Sequence, residues 1–102
     1  MRDKSHDKRL SGEEAEKLAI AVLAWLAGEP DMMGRFLALT GVEPQQLRSA
    51  MTQPAFLGGL LDFLMQHEPS LLAFCAASGT KPESVMAAWA HYVKPGLDSG
   101  EY

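Results

Sequence analysis

The side chains best able to do chemistry in this 102-residue chain are three histidines, one cysteine and a scatter of carboxylates. His6, His67 and His91 lie far apart, and His67 is followed directly by Glu68. Two metal ligands share a helix face when three or four residues separate them, so an adjacent His-Glu pair is not a metal motif. Asp62, just upstream amid apolar neighbours, could complete an acid-base or metal site with His67, Glu68 and His91 if the fold gathers all four. The plainer assignment is structural. Glu68 caps a helix, His67 suits the C-terminus of the preceding one, and Asp62 pairs with a basic group or caps another helix. Cys75 has no CxxC partner or local histidine and follows Phe74 on an apolar face, which describes a buried thiol. No phosphate-binding glycine loop occurs, so no cofactor and no catalysis are expected.

A second candidate chemistry is base reading. Gly41, Val42 and Leu47 have the spacing of a helix-turn-helix corner within residues 36–51, which would present Gln45, Gln46, Arg48 and Ser49 to base edges. Charge argues against it. Only Arg35 and Arg48 lie near to meet phosphates, whereas Glu29, Asp31 and Glu43 would repel them, and Leu37 stands where a small residue usually allows close helix contact.

The chain as a whole carries a net charge of -4. Residues 1–9 hold four basic and two acidic side chains, leaving five basic and eleven acidic for the remainder. The body is therefore acidic, and nucleic acid is not the expected partner. The mixed-charge segment 1–10 has little to bury and reads as a disordered tail. One cysteine and no signal-peptide pattern point to the cytoplasm, and no apolar run is long enough to span a membrane. Six methionines are many for this length. Met32, Met33 and Met86 suit either the core or a pliable interface, so a protein partner or self-association is expected.

Positioning any of these groups falls to helices. Apolar residues recur at helical spacing between start and stop signals, with no strand-like alternation, which predicts one all-α domain over residues 11–94, a compact bundle of five or six short helices. Ser11 and Glu14 form a capping box ahead of the stripe Leu18, Ala21, Val22, Trp25 and Leu26, and Gly28 ends that helix. Pro30 opens the second, with Met32, Met33, Phe36, Leu37 and Leu39 apolar, and Gly41 closes it. Pro44 opens a short helix to about Met51. Pro54 opens a fourth, rich in Phe and Leu and placed at the centre, where Gly58-Gly59 admits a close neighbour. Pro69 and Gly79 bound the fifth, and Pro82 and Lys94-Pro95-Gly96 the sixth, leaving 95–102 frayed. Trp25 and Trp89 belong to the core, with indole N–H groups that need partners.

The stretch from Glu29-Pro30 to Ala50 aligns with Glu68-Pro69 to Ala88 across a one-residue gap, pairing Phe36 with Phe74, Thr40 with Ser78, Gly41 with Gly79 and Pro44 with Pro82. Each copy reads helix, Gly-x-x-Pro, helix. Either a duplicated hairpin or the ordinary recurrence of proline starts and glycine stops accounts for it. The strings Leu23-Ala24-Trp25-Leu26-Ala27, Arg35 to Gly41, Gln53 to Leu57, Asp62-Phe63-Leu64 and Glu68 to Phe74 together resemble the alphaproteobacterial domain-of-unknown-function family 3572. That resemblance implies a small bacterial cytoplasmic helical protein and transfers no activity or functional residue.

Overall fold

The structure, a computed structural model, describes the backbone of residues 11–100 and the side chains of residues 11–93. The tail expected over 1–10 lies outside the described residues. Among the described residues six α-helices and one 3-10 turn follow in order: α1 (Gly12–Ala27), α2 (Pro30–Thr40), the 3-10 turn Pro44–Gln46, α3 (Leu47–Ala50), α4 (Pro54–Met65), α5 (Glu68–Ser78) and α6 (Pro82–Gly100). No strand occurs among the described residues.

Local chemistry sets most of the boundaries. Ser11 and Glu14 form the reciprocal capping box of α1, with hydrogen bonds of 3.0 and 3.1 Å. Prolines open α2, α4, α5 and α6 within their first two positions, where the missing N–H has no helical acceptor to lose. Gly41 and Gly79 end α2 and α5 in the left-handed conformation, at φ of 75° and 74°, which a side chain would strain. Gly28 ends α1 as expected, without a left-handed turn. Two boundaries differ from expectation. The cap of α5 is His67, and Glu68 is its first residue. Helix α6 continues through Lys94-Pro95-Gly96, expected to end it, to Gly100. Proline removes one hydrogen bond and crowds the preceding turn, which disfavours a helix without forbidding it.

Helix α4 is the hub and packs on α1, α2, α5 and α6. Leu60, Leu61 and Leu64 are wholly buried, as are Val22, Leu26, Phe74 and Val85 around them. Two faces turn differently from their spacing. In α1 the buried stripe is Ala15, Ala19, Val22, Leu23 and Leu26; Ala21, expected within it, is exposed. In α2, Leu39 is 72% exposed, because the inward side of that helix is set by buried Phe36 with Met32, Met33 and Leu37 partly buried beside it.

The two aligned segments share their corners atom by atom. Thr40 Oγ1 donates to the Phe36 carbonyl at 3.0 Å and accepts the Val42 N–H, while Ser78 Oγ donates to the Phe74 carbonyl at 2.8 Å and accepts the Thr80 N–H. After the corners they diverge: one continues as a 3-10 turn and the four-residue α3, the other as the nineteen-residue α6.

Candidate functional site

Asp62, His67, Glu68 and His91 do not converge. Asp62 is half-buried on α4, and its carboxylate accepts the Trp89 indole N–H at 3.1 Å. The pairing expected with a basic group or helix end is thus made with an aromatic donor, and it fastens α4 to α6. Asp62→Ala should cost about 1 kcal/mol by leaving that N–H unpaired, whereas Asp62→Asn, which keeps an acceptor oxygen, should cost less. Chemical denaturation followed by tryptophan fluorescence measures both.

His67 is turned toward the next helix rather than closing the last one. Its Nδ1 lies 2.6 Å from the hydroxyl of Ser70, which is only 2% exposed. A serine bonded to a histidine is the pair that nucleophilic catalysis uses. Here the serine is sealed in the first turn of α5 and out of reach of a substrate, so the bond satisfies a buried hydroxyl and anchors the helix start. The three-residue separation of His67 and Ser70 across that start is the signal by which the sequence could have shown it. Glu68 is exposed beside them.

His91 stands apart on α6. Its ring packs edge-on to Tyr92, centroids 5.0 Å apart, and a Cβ placed on Gly12 would meet it at 3.4 Å. Together with Glu16, Thr52 and Pro54 these residues line a shallow cleft of about 450 Å³. Burial raises the Tyr92 phenol above its ordinary range, and the Glu16 carboxylate adds to the effect. The cleft contains none of Asp62, His67 or Glu68. Among the described residues no three of His, Cys, Asp and Glu are grouped to hold a metal ion. Cys75 is buried; desolvation pushes its thiol up, the Glu83 carboxylate adds to that, and the reactive thiolate is disfavoured.

The helix-turn-helix segment is short of a reading helix. Its second arm is one 3-10 turn and four α-helical residues, too little to lie along a groove. Gln45 donates to the Glu43 carboxylate at 2.6 Å, and Gln46 accepts the Glu43 backbone N–H at 2.8 Å. Both amides therefore serve the turn, while Arg48 and Ser49 are exposed. Of the methionines, Met32 and Met33 are half-buried against the core and Met86 is 49% exposed.

The surface feature that spacing alone did not expose belongs to α5. Phe74 and Cys75 face the core, with Ser70 beside them, yet Leu72 is 49% exposed and Ala73, Ala76 and Ala77 are exposed with it. No charge occurs between Pro69 and Ser78. A solvated helix normally sets charged residues opposite its apolar stripe. This one is apolar on both sides.

A family model described as protein of unknown function (DUF3572) matches residues 12–95. No curated protein and no solved structure matches the chain significantly. Among the described residues no helix is long and apolar enough to cross a membrane.

Proposed function

We propose that this chain, which belongs to the DUF3572 family, is a non-catalytic protein-interaction module working in the cytoplasm. The observation behind this reading is the outer face of α5, where Leu72 and three alanines meet solvent with no charge among them. Leaving apolar surface in water forgoes about 25 cal/mol for each Å², and covering it with a partner recovers that term. Leu39 and Met86 add apolar surface elsewhere. The buried, unpaired Cys75 suits a reducing compartment. The acidic body and the shortness of α3 favour a protein partner over nucleic acid.

Site-specific photo-crosslinking in native cell extract tests the reading. A benzophenone side chain placed at Leu72 should give discrete protein adducts, whereas the same probe at exposed Gln66 or Gln53 should give few. Equal, diffuse labelling at all three positions would count against an interaction surface.

A further inference from the structure

We infer that the cleft where α1, α4 and α6 meet binds an alkylammonium group, with the Glu16 carboxylate as its counter-charge and the Tyr92 ring as its aromatic wall. The site lies away from the outer face of α5 and stands independently of the interaction reading above. Its walls come from three helices that all pack on one another, so they hold their places without a ligand.

Two glycines make room for two aromatic rings. A Cβ on Gly12 would come within 3.4 Å of the His91 imidazole, and one on Gly58 within 2.9 Å of the Tyr92 Cβ. Bare backbone at both positions lets the two α6 side chains settle against α1 and α4. Their rings stand at 88° to each other and form an aromatic corner. Glu16 follows Gly12 by one turn on the same face of α1. A helical side chain leans toward the N-terminus of its helix, which carries the Glu16 carboxylate toward the ring lying over Gly12. Glu16 is also near enough to Tyr92 for its charge to act on the phenol. Buried Leu57 and exposed Pro54 supply apolar surface, and the Thr52 hydroxyl adds a polar group at the rim.

Charge and shape select the ligand. No lysine or arginine lines the cleft, so nothing in its wall neutralises the carboxylate as a fixed cation would. A cation is attracted to the face of an aromatic ring within about 6 Å, and a carboxylate beside that face adds an ion pair. An anion meets the Glu16 charge and is repelled, while a neutral alkyl group gains only the contacts with Leu57 and Pro54. The net charge of -4 gathers cations around the chain as a whole. A volume of about 450 Å³ is within the range of small-molecule sites, and the openness of the cleft makes binding weak. A free amine and a lysine side chain of a peptide offer this same chemistry.

Titration of the isotope-labelled full chain by NMR at constant ionic strength tests the site. The probe n-butylammonium should shift the amides of Gly12, Glu16, Leu57, His91 and Tyr92 saturably, with a dissociation constant of roughly 1–10 mM. Its neutral isostere n-butanol, and butyrate, should bind at least about fivefold more weakly. Nα-acetyl-lysine methylamide forms the second arm: tighter binding than n-butylammonium assigns the site to a lysine side chain, and weaker binding to a free amine. Glu16 is exposed, so Glu16→Gln should keep its helical circular dichroism and bind n-butylammonium about threefold or more weakly. Tyr92→Phe keeps the ring and should stay within about twofold of wild type, whereas Tyr92→Leu should lose about threefold or more. Should Tyr92→Leu unfold, Glu16→Gln decides alone. Equal affinity for n-butanol, unchanged binding in Glu16→Gln, or shifts spread over the acidic surface without saturation by about 50 mM would overturn the inference.

Discussion

Phe36→Ala should remove about 3–5 kcal/mol of stability, the range for emptying a wholly buried phenylalanine site. Phe36 is 1% exposed and meets Phe56 and Phe63 edge-on, with centroids 5.6 and 5.4 Å away. It is also the one buried residue of α2, so it carries the attachment of that helix to α4. The loss is a large share of the roughly 5–15 kcal/mol that holds a domain folded. Urea denaturation should show a midpoint lowered accordingly, and amide exchange in α2 should accelerate more than in α4, because the other inward residues of α2, Met32, Met33 and Leu37, are only partly buried. Leu39→Ala is the internal control. One turn away and 72% exposed, it should change stability by no more than about 0.5 kcal/mol. Equal effects at the two positions would mean that α2 does not dock through Phe36.

The adjacent glycines of α4 should respond to alanine with opposite signs. A Cβ on Gly58 would lie 2.9 Å from the Tyr92 Cβ and 3.4 Å from its Cγ. That Cβ adjoins the α6 backbone, so relief requires the whole helix to move, and overpacking of this kind costs about 1–3 kcal/mol. The gain from replacing glycine within a helix, about 1 kcal/mol, offsets only part of it. A Cβ on Gly59 meets nothing within 4 Å, so Gly59→Ala should raise stability by up to about that same 1 kcal/mol. Thermal melts of the two single variants give the sign directly. In a Tyr92→Gly background the penalty at Gly58 should largely disappear, and a double-mutant cycle isolates that contact. If both alanines stabilise, α4 and α6 do not approach as closely as the structure places them.

That pair of glycines also marks where reading the chain stops. Two glycines in an apolar helix announce a close neighbour, but period and propensity treat them alike. Which one faces α6 depends on how α4 is rotated, and rotation is fixed by partners far away in sequence. The same reason moved the α1 stripe from Ala21 to Ala15, Ala19 and Leu23: a helix with apolar residues on several sides has more than one candidate inward face, and only docking chooses. Much of the capping and turn chemistry was legible, since Ser11 with Glu14, the helix-opening prolines and the stops at Gly41 and Gly79 act within a few residues of themselves, although the cap of α5 fell on His67 and not on Glu68. Helix α6 shows the limit of such signals, because Pro95 disfavours continuation by a few kcal/mol and the helix runs on to Gly100.

The candidate sites divide along the same line. Sequence separation left the grouping of Asp62, His67, Glu68 and His91 open, and the fold gives each a different neighbour: Trp89, Ser70, solvent and Tyr92. Only tertiary packing could assign the two faces of α5. Both are apolar, so hydropathy has no preference between them, and the choice fell to whichever side brought Phe74 against Trp25 in the core. By itself the sequence determined the all-helical class, most helix starts and stops, the acidic body and the family resemblance, because these depend on local backbone chemistry, summed charge and the order of residues. The tertiary structure decided which apolar surface is core and which is left exposed, because burial is a property of pairs of helices and not of either one alone.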